Sequence, residues 1–351
     1  MKLNITLLSL IQSNIYSSLL FSGSNSFHLN QCSFSRSFAF IFFNPKNIYV
    51  KDSIFKYSLQ SLLYLDSFRK CSESTKVKSK ECFISGDDVL IANKTNDNLE
   101  FEYSSFFNCK ANKDIIRYES TGRSTLRFDK CCFFNLNTDN SIVCSMSQCY
   151  VTESTFLNNT AKTIIQCNSF SDQILWNNFS FNTLHDEDHY LSIYSKEAGL
   201  KAEITGNIFA HNKKGSHMVC FWNYDVQNLN FLVFTNNSCD NCIIHAGTTV
   251  SSSSKFYIIR CSFYNNFKYQ TTEYLGIISS QKPDSKISIM FCQTDTTFPS
   301  NTLYTYANNK ENVNYDNEKI LLWQFENISI VITPPQSDGF ICKIKPDIPW
   351  P

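Results

Sequence analysis

The sequence predicts an all-β chain, folded as a right-handed parallel β-helix (β-solenoid) of about ten to twelve irregular coils, each roughly 26 residues long. Three observations carry this. A short pattern recurs along most of the chain: an apolar residue, a small residue three positions later, and a Phe two positions after that. The interval between copies drifts while the pattern inside each copy does not. Finally, a second apolar run follows in most coils, about nine residues after the Phe. Constant strands separated by loops of variable length are the expected result.

The copies run Leu29…Cys32…Phe34, Val50…Ser53…Phe55, Phe101…Ser104…Phe106, Phe128…Cys131…Phe133, Val151…Ser154…Phe156, Ile174…Asn177…Phe179, Ile204…Asn207…Phe209 and Ile258…Cys261…Phe263. Leu229 to Phe234 fits, with Leu232 at the small position, and the coil near Cys82 is the poorest match, anchored on Phe83 or Ile84. A weaker copy centres on Phe291. Counting the Phe as position 0, a spacing of three then two departs from the strict alternation of one straight strand. It predicts two short strands with a bend at −4 and −3. The later apolar runs are Ile115-Ile116, Ile142-Val143, Ile164-Ile165, Met218-Val219, Ile243-Ile244 and Ile277-Ile278.

Composition agrees. Apolar residues make up 42% of the 351, and the 31 Phe and 17 Tyr suit a pleated, half-buried surface. Only 9 residues are Gly, while 37 are Asn, so Asn is expected at turn positions that need φ > 0. Lys plus Arg and Asp plus Glu each number 31, giving no net positive charge for neutralising phosphates. Nucleic acid is therefore excluded as a partner class. No run of 18 apolar residues exists, so no transmembrane helix is expected.

The organisation read from the sequence is a cap or weak secretory signal over 1–13, a β-helix over 14–330, and a proline-rich tail or cap over 331–351. Residues 334–351 hold five of the eight prolines, which cannot donate to a ladder. If Met1 to Ile11 acts as a signal, the protein is extracellular or on the cell surface; otherwise it is cytoplasmic.

Five consecutive coils carry Phe-x-x-Asn: Phe156…Asn159, Phe179…Asn182, Phe209…Asn212, Phe234…Asn237 and Phe263…Asn266. This element resembles the repeat of the polymorphic outer-membrane proteins, and more broadly the pectin-lyase-like parallel β-helix superfamily. The resemblance implies surface display or adhesion and, in other branches, polysaccharide cleavage. The Gly-Gly-Ala element that accompanies Phe-x-x-Asn in the polymorphic family is absent.

Candidate chemistry is sparse. The hydrolase pattern of that superfamily needs Asn-Thr-Asp, an Asp pair and Gly-His-Gly in order. Here Asp87-Asp88 precedes Asn137-Thr138-Asp139 and no Gly-His-Gly occurs, so the Asp pair reads as turn residues. No catalytic residue and no cofactor is assigned. Glu102, Asp129 and Glu153 recur beside the bend in consecutive coils, and stacked carboxylates could bind Ca²⁺ or a partner. His185, Asp186, Asp188 and His189 form the densest polar run and are the metal candidates. Of the 15 cysteines, Cys32, Cys131 and Cys261 occupy small positions and are expected to be thiols, with Cys144–Cys167 the expected pair if a bridge forms. The reading of function is a non-catalytic scaffold, on the surface or secreted, presenting loops as a monomer for adhesion or for binding glycans or a host or cell-surface protein. A carbohydrate-active enzyme with an atypical site, and a chain without selected activity, are the alternatives.

Overall fold

The computed structural model describes residues 2–6, 9–11, 21–22, 26–35, 42–43, 47–51, 53–58, 63–65, 76–80, 83–86, 90–95, 98–120, 124–169, 171–185, 188–195, 202–222, 226–247, 255–280, 286–298, 304–312, 330–333 and 341–344. The chain is a parallel β-solenoid. Its described strands stack into three long sheets of thirteen, twelve and eleven strands, each coil contributing one strand to each sheet in turn. The coil built around Phe156 shows the plan. Gln148–Thr152 lies in the first sheet, Thr155–Leu157 in the second and Thr163–Ser169 in the third, with Thr160–Ala161 as a short extra strand. Residues 330–333 and 341–344 pair antiparallel, in a separate two-stranded sheet. No helix among the described residues is long and apolar enough to cross a membrane.

The sequence pattern becomes a set of ladders. Leu10, Phe34, Phe55, Ile84, Phe106, Phe133, Phe156, Phe179, Phe209, Phe234 and Phe263 pair in register along the second sheet. The poorly matching coil thus uses Ile84 as its anchor, and Ser79 stands where neighbouring coils carry Val50 and Phe101. From Phe106 to Phe263 each ring stacks on the next, with centroids 4.3–5.4 Å apart. All seven rings are buried. Such contacts add about 0.5–1.5 kcal/mol per pair beyond the area buried. The row ends at Thr294, which pairs with Phe263. Phe291 is therefore not an anchor: it sits in the bend, half exposed, while Cys292 takes the small position.

The bends also fall one residue later than the spacing suggests. Thr152, at −4, is still in its strand; Glu153 and Ser154, at −3 and −2, make the turn. A second bend follows at +2 and +3, Asn158 and Asn159 in this coil. Each bend holds one residue at φ > 0. At +2 the expectation of Asn is largely met, with Asn108, Asn135, Asn158, Asn236 and Asn265 joined by Phe181 and His211. At −3 it fails. That row reads Gln31, Tyr103, Lys130, Glu153, Trp176, Gly206, Phe231, Arg260 and Phe291, and Asn enters only at its last described member, Asn308.

In most coils the residue after the positive-φ position is a buried Ser, Asn or Cys, and in many of them its side chain accepts a backbone N–H from the preceding coil. At −2, Cys131 N–H donates to Ser154 Oγ (3.0 Å), Ser154 N–H to Asn177 Oδ1 (2.8 Å) and Asn177 N–H to Asn207 Oδ1 (2.9 Å). At +3, N–H groups of Leu136, Asn159, Asn182, Asn212 and Asn237 donate in turn to Oδ1 of Asn159, Asn182, Asn212, Asn237 and Asn266, at 2.9–3.1 Å. The amide nitrogen of each Asn then donates backwards. Asn182 Nδ2 reaches back to the Phe156 carbonyl at 2.9 Å, and forwards to Asn212 Oδ1 at 3.1 Å. Phe-x-x-Asn is thus one device: a stacked ring, and an amide that closes the bend beside the preceding ring.

Among the cysteines, Cys32, Cys131 and Cys261 are buried thiols, as the small positions suggest. Cys132 is in a disulfide. The expected Cys144–Cys167 bridge does not form, because the register sets Cys144 beside Gln166 and Cys167 beside Ser145.

Two outcomes test this packing. Phe156→Ala opens a void between Phe133 and Phe179 and should destabilise the chain by about 3–5 kcal/mol in denaturant unfolding. Asn182→Ala strands the Asn159 N–H and the Phe156 carbonyl, and should cost at least about 2 kcal/mol. Asn158→Gly, at the neighbouring exposed bend position, should stay within about 0.5 kcal/mol of wild type. A small effect of Asn182→Ala would refute the amide-ladder account.

Candidate functional site

Two regions gather side chains with chemistry beyond packing. The first is the −3 edge between the first and second sheets. Tyr103 and Phe291 are exposed there, at 47% and 49%, and Trp176 and Phe231 are half-buried. The row is laced together across coils. Lys130 Nζ lies 5.5 Å from the Tyr103 ring centroid and 3.7 Å from Glu153 Oε2. The Trp176 and Phe231 rings are 6.4 Å apart, and the Arg260 guanidinium sits 5.3 Å over Phe231. Between Trp176 and Phe231 comes Gly206, at φ +70°, where a Cβ would meet the Trp176 ring at 2.0 Å. Only glycine lets the indole lie flat along the edge. On the +2 edge, Phe181, 55% exposed, stacks on His211 at 4.7 Å.

The carboxylates singled out from the sequence border this edge in two rows. Glu102 pairs in register with Asp129, and the next residue in that row is Thr152, whose Oγ1 donates to Asp129 Oδ1 at 2.6 Å. Glu153 occupies the −3 row instead, facing Lys130. Each carboxylate is answered by a cation, a hydroxyl or a single acid, and the three do not converge on one point.

The second region lies on the third sheet. There the double apolar runs turn inward as pairs: Met218-Val219 and Ile243-Ile244 are all buried. Two consecutive inward residues break the alternation of a strand. Residues three apart, such as Cys242 and His245, therefore emerge on the same side. His189 pairs with His217, His217 with Cys242, and Cys220 with His245. The Nδ1 atoms of His189 and His217 are 3.2 Å apart, and the rings of His217 and His245 stack at 4.5 Å. One donor atom from each of His217, Cys242 and His245 lies within 4.8 Å of the others. Ser279 Oγ sits 2.8 Å from His245 Nδ1 and 3.0 Å from Cys242 Sγ. Trp222 packs over His245 at 5.7 Å, and Gly247 makes room for its ring, since a Cβ there would approach it to 2.5 Å.

Burial sets the electrostatics of this cluster. Loss of solvation pulls His217 down to about 3, helped by the neighbouring His245 and His189, and pulls His189 down to about 4 against the opposing Asp188. His245 is lowered by burial alone. The Cys242 thiol is pushed up to about 11 by burial, tempered by its bonds to Ser279. At neutral pH the cluster is three neutral imidazoles and a thiol.

Of the metal candidates read from the sequence, the structure brings only His189 into this cluster. His185 Nε2 is 3.1 Å from the Thr138 carbonyl, Asp188 faces Lys162 at 3.4 Å, and Asp186 lies outside the described residues. His217, Cys242 and His245 were not singled out from the sequence. One signal was present: His189, His217 and His245 are spaced 28 and 28 residues apart, close to the coil length.

The stacked strands define the class, a parallel β-solenoid. No protein-family model matches the chain, and no curated protein or solved structure matches it either.

Proposed function

We propose that this protein is a non-catalytic β-solenoid that binds an extended carbohydrate along its −3 edge, outside the cell or on its surface. The observation that carries the reading is the identity of the positive-φ residues there. A non-glycine residue in that conformation costs about 1–2 kcal/mol, and bulky residues are the least suited to it. Tyr103, Trp176, Phe231 and Phe291 nonetheless occupy this row, where Asn or Gly would be easier. Strained positions retained against an easier alternative point to a use for their side chains. Aromatic rings recurring every two or three coils along a solenoid suit stacking on sugar rings spaced along an extended chain, and Lys130 and Arg260 add donors for hydroxyl oxygens. The interrupted carboxylate rows favour binding over cleavage, because glycoside hydrolysis needs two acids facing each other across one bond. The Phe-x-x-Asn resemblance to surface-displayed repeats points the same way.

The test is a panel of pectins, alginates, glycosaminoglycans and mucin glycans, assayed for retention of the purified protein and for release of reducing ends. Retention on at least one polymer without turnover is expected. Trp176→Ala and Phe231→Ala should each weaken it about tenfold, the equivalent of one stacking contact. Turnover abolished by Glu102→Gln or Glu153→Gln would establish an enzyme instead. Retention unchanged in both aromatic variants would remove the edge from consideration.

A further inference from the structure

We propose that His217, Cys242 and His245 bind a single transition-metal ion of the zinc(II) class, with His189 as the fourth donor. This site lies on the third sheet and is independent of the carbohydrate edge.

The geometry comes first. In a tetrahedral zinc site, bonds of about 2.0–2.3 Å place neighbouring donor atoms about 3.3–3.7 Å apart. His189 Nδ1 and His217 Nδ1 already stand at 3.2 Å. The donors of His217, Cys242 and His245 span no more than 4.8 Å, so side-chain rotations of about an ångström gather them around one ion. The backbone need not move. The four residues come from three consecutive strands of one sheet, His189–Ser195, His217–Trp222 and Cys242–Gly247, whose register is fixed by the ladders.

The chemistry narrows the ion. Imidazole nitrogens with one thiolate suit zinc and its neighbours in the transition series, and disfavour calcium and magnesium, which take oxygen. Supporting contacts of the kind metal sites require are also present. Ser279 Oγ touches both His245 Nδ1 and Cys242 Sγ, and so fixes the ring and the thiol relative to each other. Trp222 closes one flank, and the cluster's other side chains are buried, with His217 7%, Cys242 4% and His245 8% exposed. A stack of histidines serving only as packing would need neither a thiol at donor distance nor a serine bridging thiol and ring.

The full chain, stripped with chelator, is titrated with Co(II) and with Zn(II) against a chromophoric competitor. One ion per chain is expected, with the d–d bands of tetrahedral Co(II) and a thiolate-to-cobalt charge-transfer band. Cys242→Ser should abolish that band, which assigns it among the chain's other cysteines. Cys242→Ser and His245→Gln should each weaken Zn(II) binding at least tenfold. His189→Gln should keep the band but lower affinity, and His185→Gln should change neither. Circular dichroism of the metal-free variants checks that they fold, and the wild-type band is informative even where one does not. Absence of a charge-transfer band in the wild type, or zinc affinity unchanged from wild type in both Cys242→Ser and His245→Gln, overturns the proposal, as would loss of binding in His185→Gln alone.

Discussion

The constraint on which the structure depends is the fate of the backbone N–H at each bend. Sheet strands satisfy their own groups through the neighbouring coils, but the second sheet is only three residues wide in most coils and must be turned at both ends. The inward residue of each turn leaves a donor inside the core, where an orphan costs about 1–3 kcal/mol. Ser, Cys or Asn of the next coil supplies the acceptor, and Asn also returns a bond to the carbonyl behind it. These bonds run between coils rather than within one. No coil is complete without its neighbour, and stability accumulates along the solenoid.

This explains which features were legible in the sequence. The rows at −5, −2 and 0 all face the interior, where composition is restricted to apolar, small and aromatic types, so they stand out as a repeat. The exact bend was not legible, because a small polar residue looks alike whether it flanks a turn or accepts a bond inside one. Ser154 does both. Phe291 departs from the repeat for a related reason: the pattern alone does not tell an inward Phe at 0 from the outward aromatics this chain carries at −3. Local sequence density also misdirected the metal candidates. His185 to His189 look like one site, but the strand that begins after the loop separates them, sending His185 towards Thr138 and His189 towards the next coil. The residues that meet lie 28 and 25 positions apart (His189 to His217, His217 to Cys242), and only the register brings them together.

The solenoid multiplies whatever a coil places at a given position. At the −3 edge the multiplied feature is most often an aromatic or cationic side chain held on a strained backbone, and two groups lean together there: Tyr103, Lys130 and Glu153, and Trp176, Phe231 and Arg260. Those contacts offset part of the strain without hiding Tyr103 or Phe291. Beside this edge the carboxylate row does not persist across coils. It stops at Thr152 after two members.

On the third sheet, multiplication produces a ladder that changes character along its length. Arg117, Cys144, Gln166, Ser192, Cys220, His245 and Ser279 share one row, so the same position is charged at one end and lined by thiol, imidazole and hydroxyl at the other. The kink made by paired inward residues then brings a second row, His189, His217 and Cys242, alongside it. Neither row holds a complete donor set. His217 and Cys242 come from one and His245 from the other, and they meet only where both rows carry soft or nitrogen donors in the same pair of coils. That convergence depends on the inward pairs Met218-Val219 and Ile243-Ile244, which were read from the sequence simply as core. A hydrophobic doublet that exists to fill the interior therefore also decides which polar side chains can reach one another outside it.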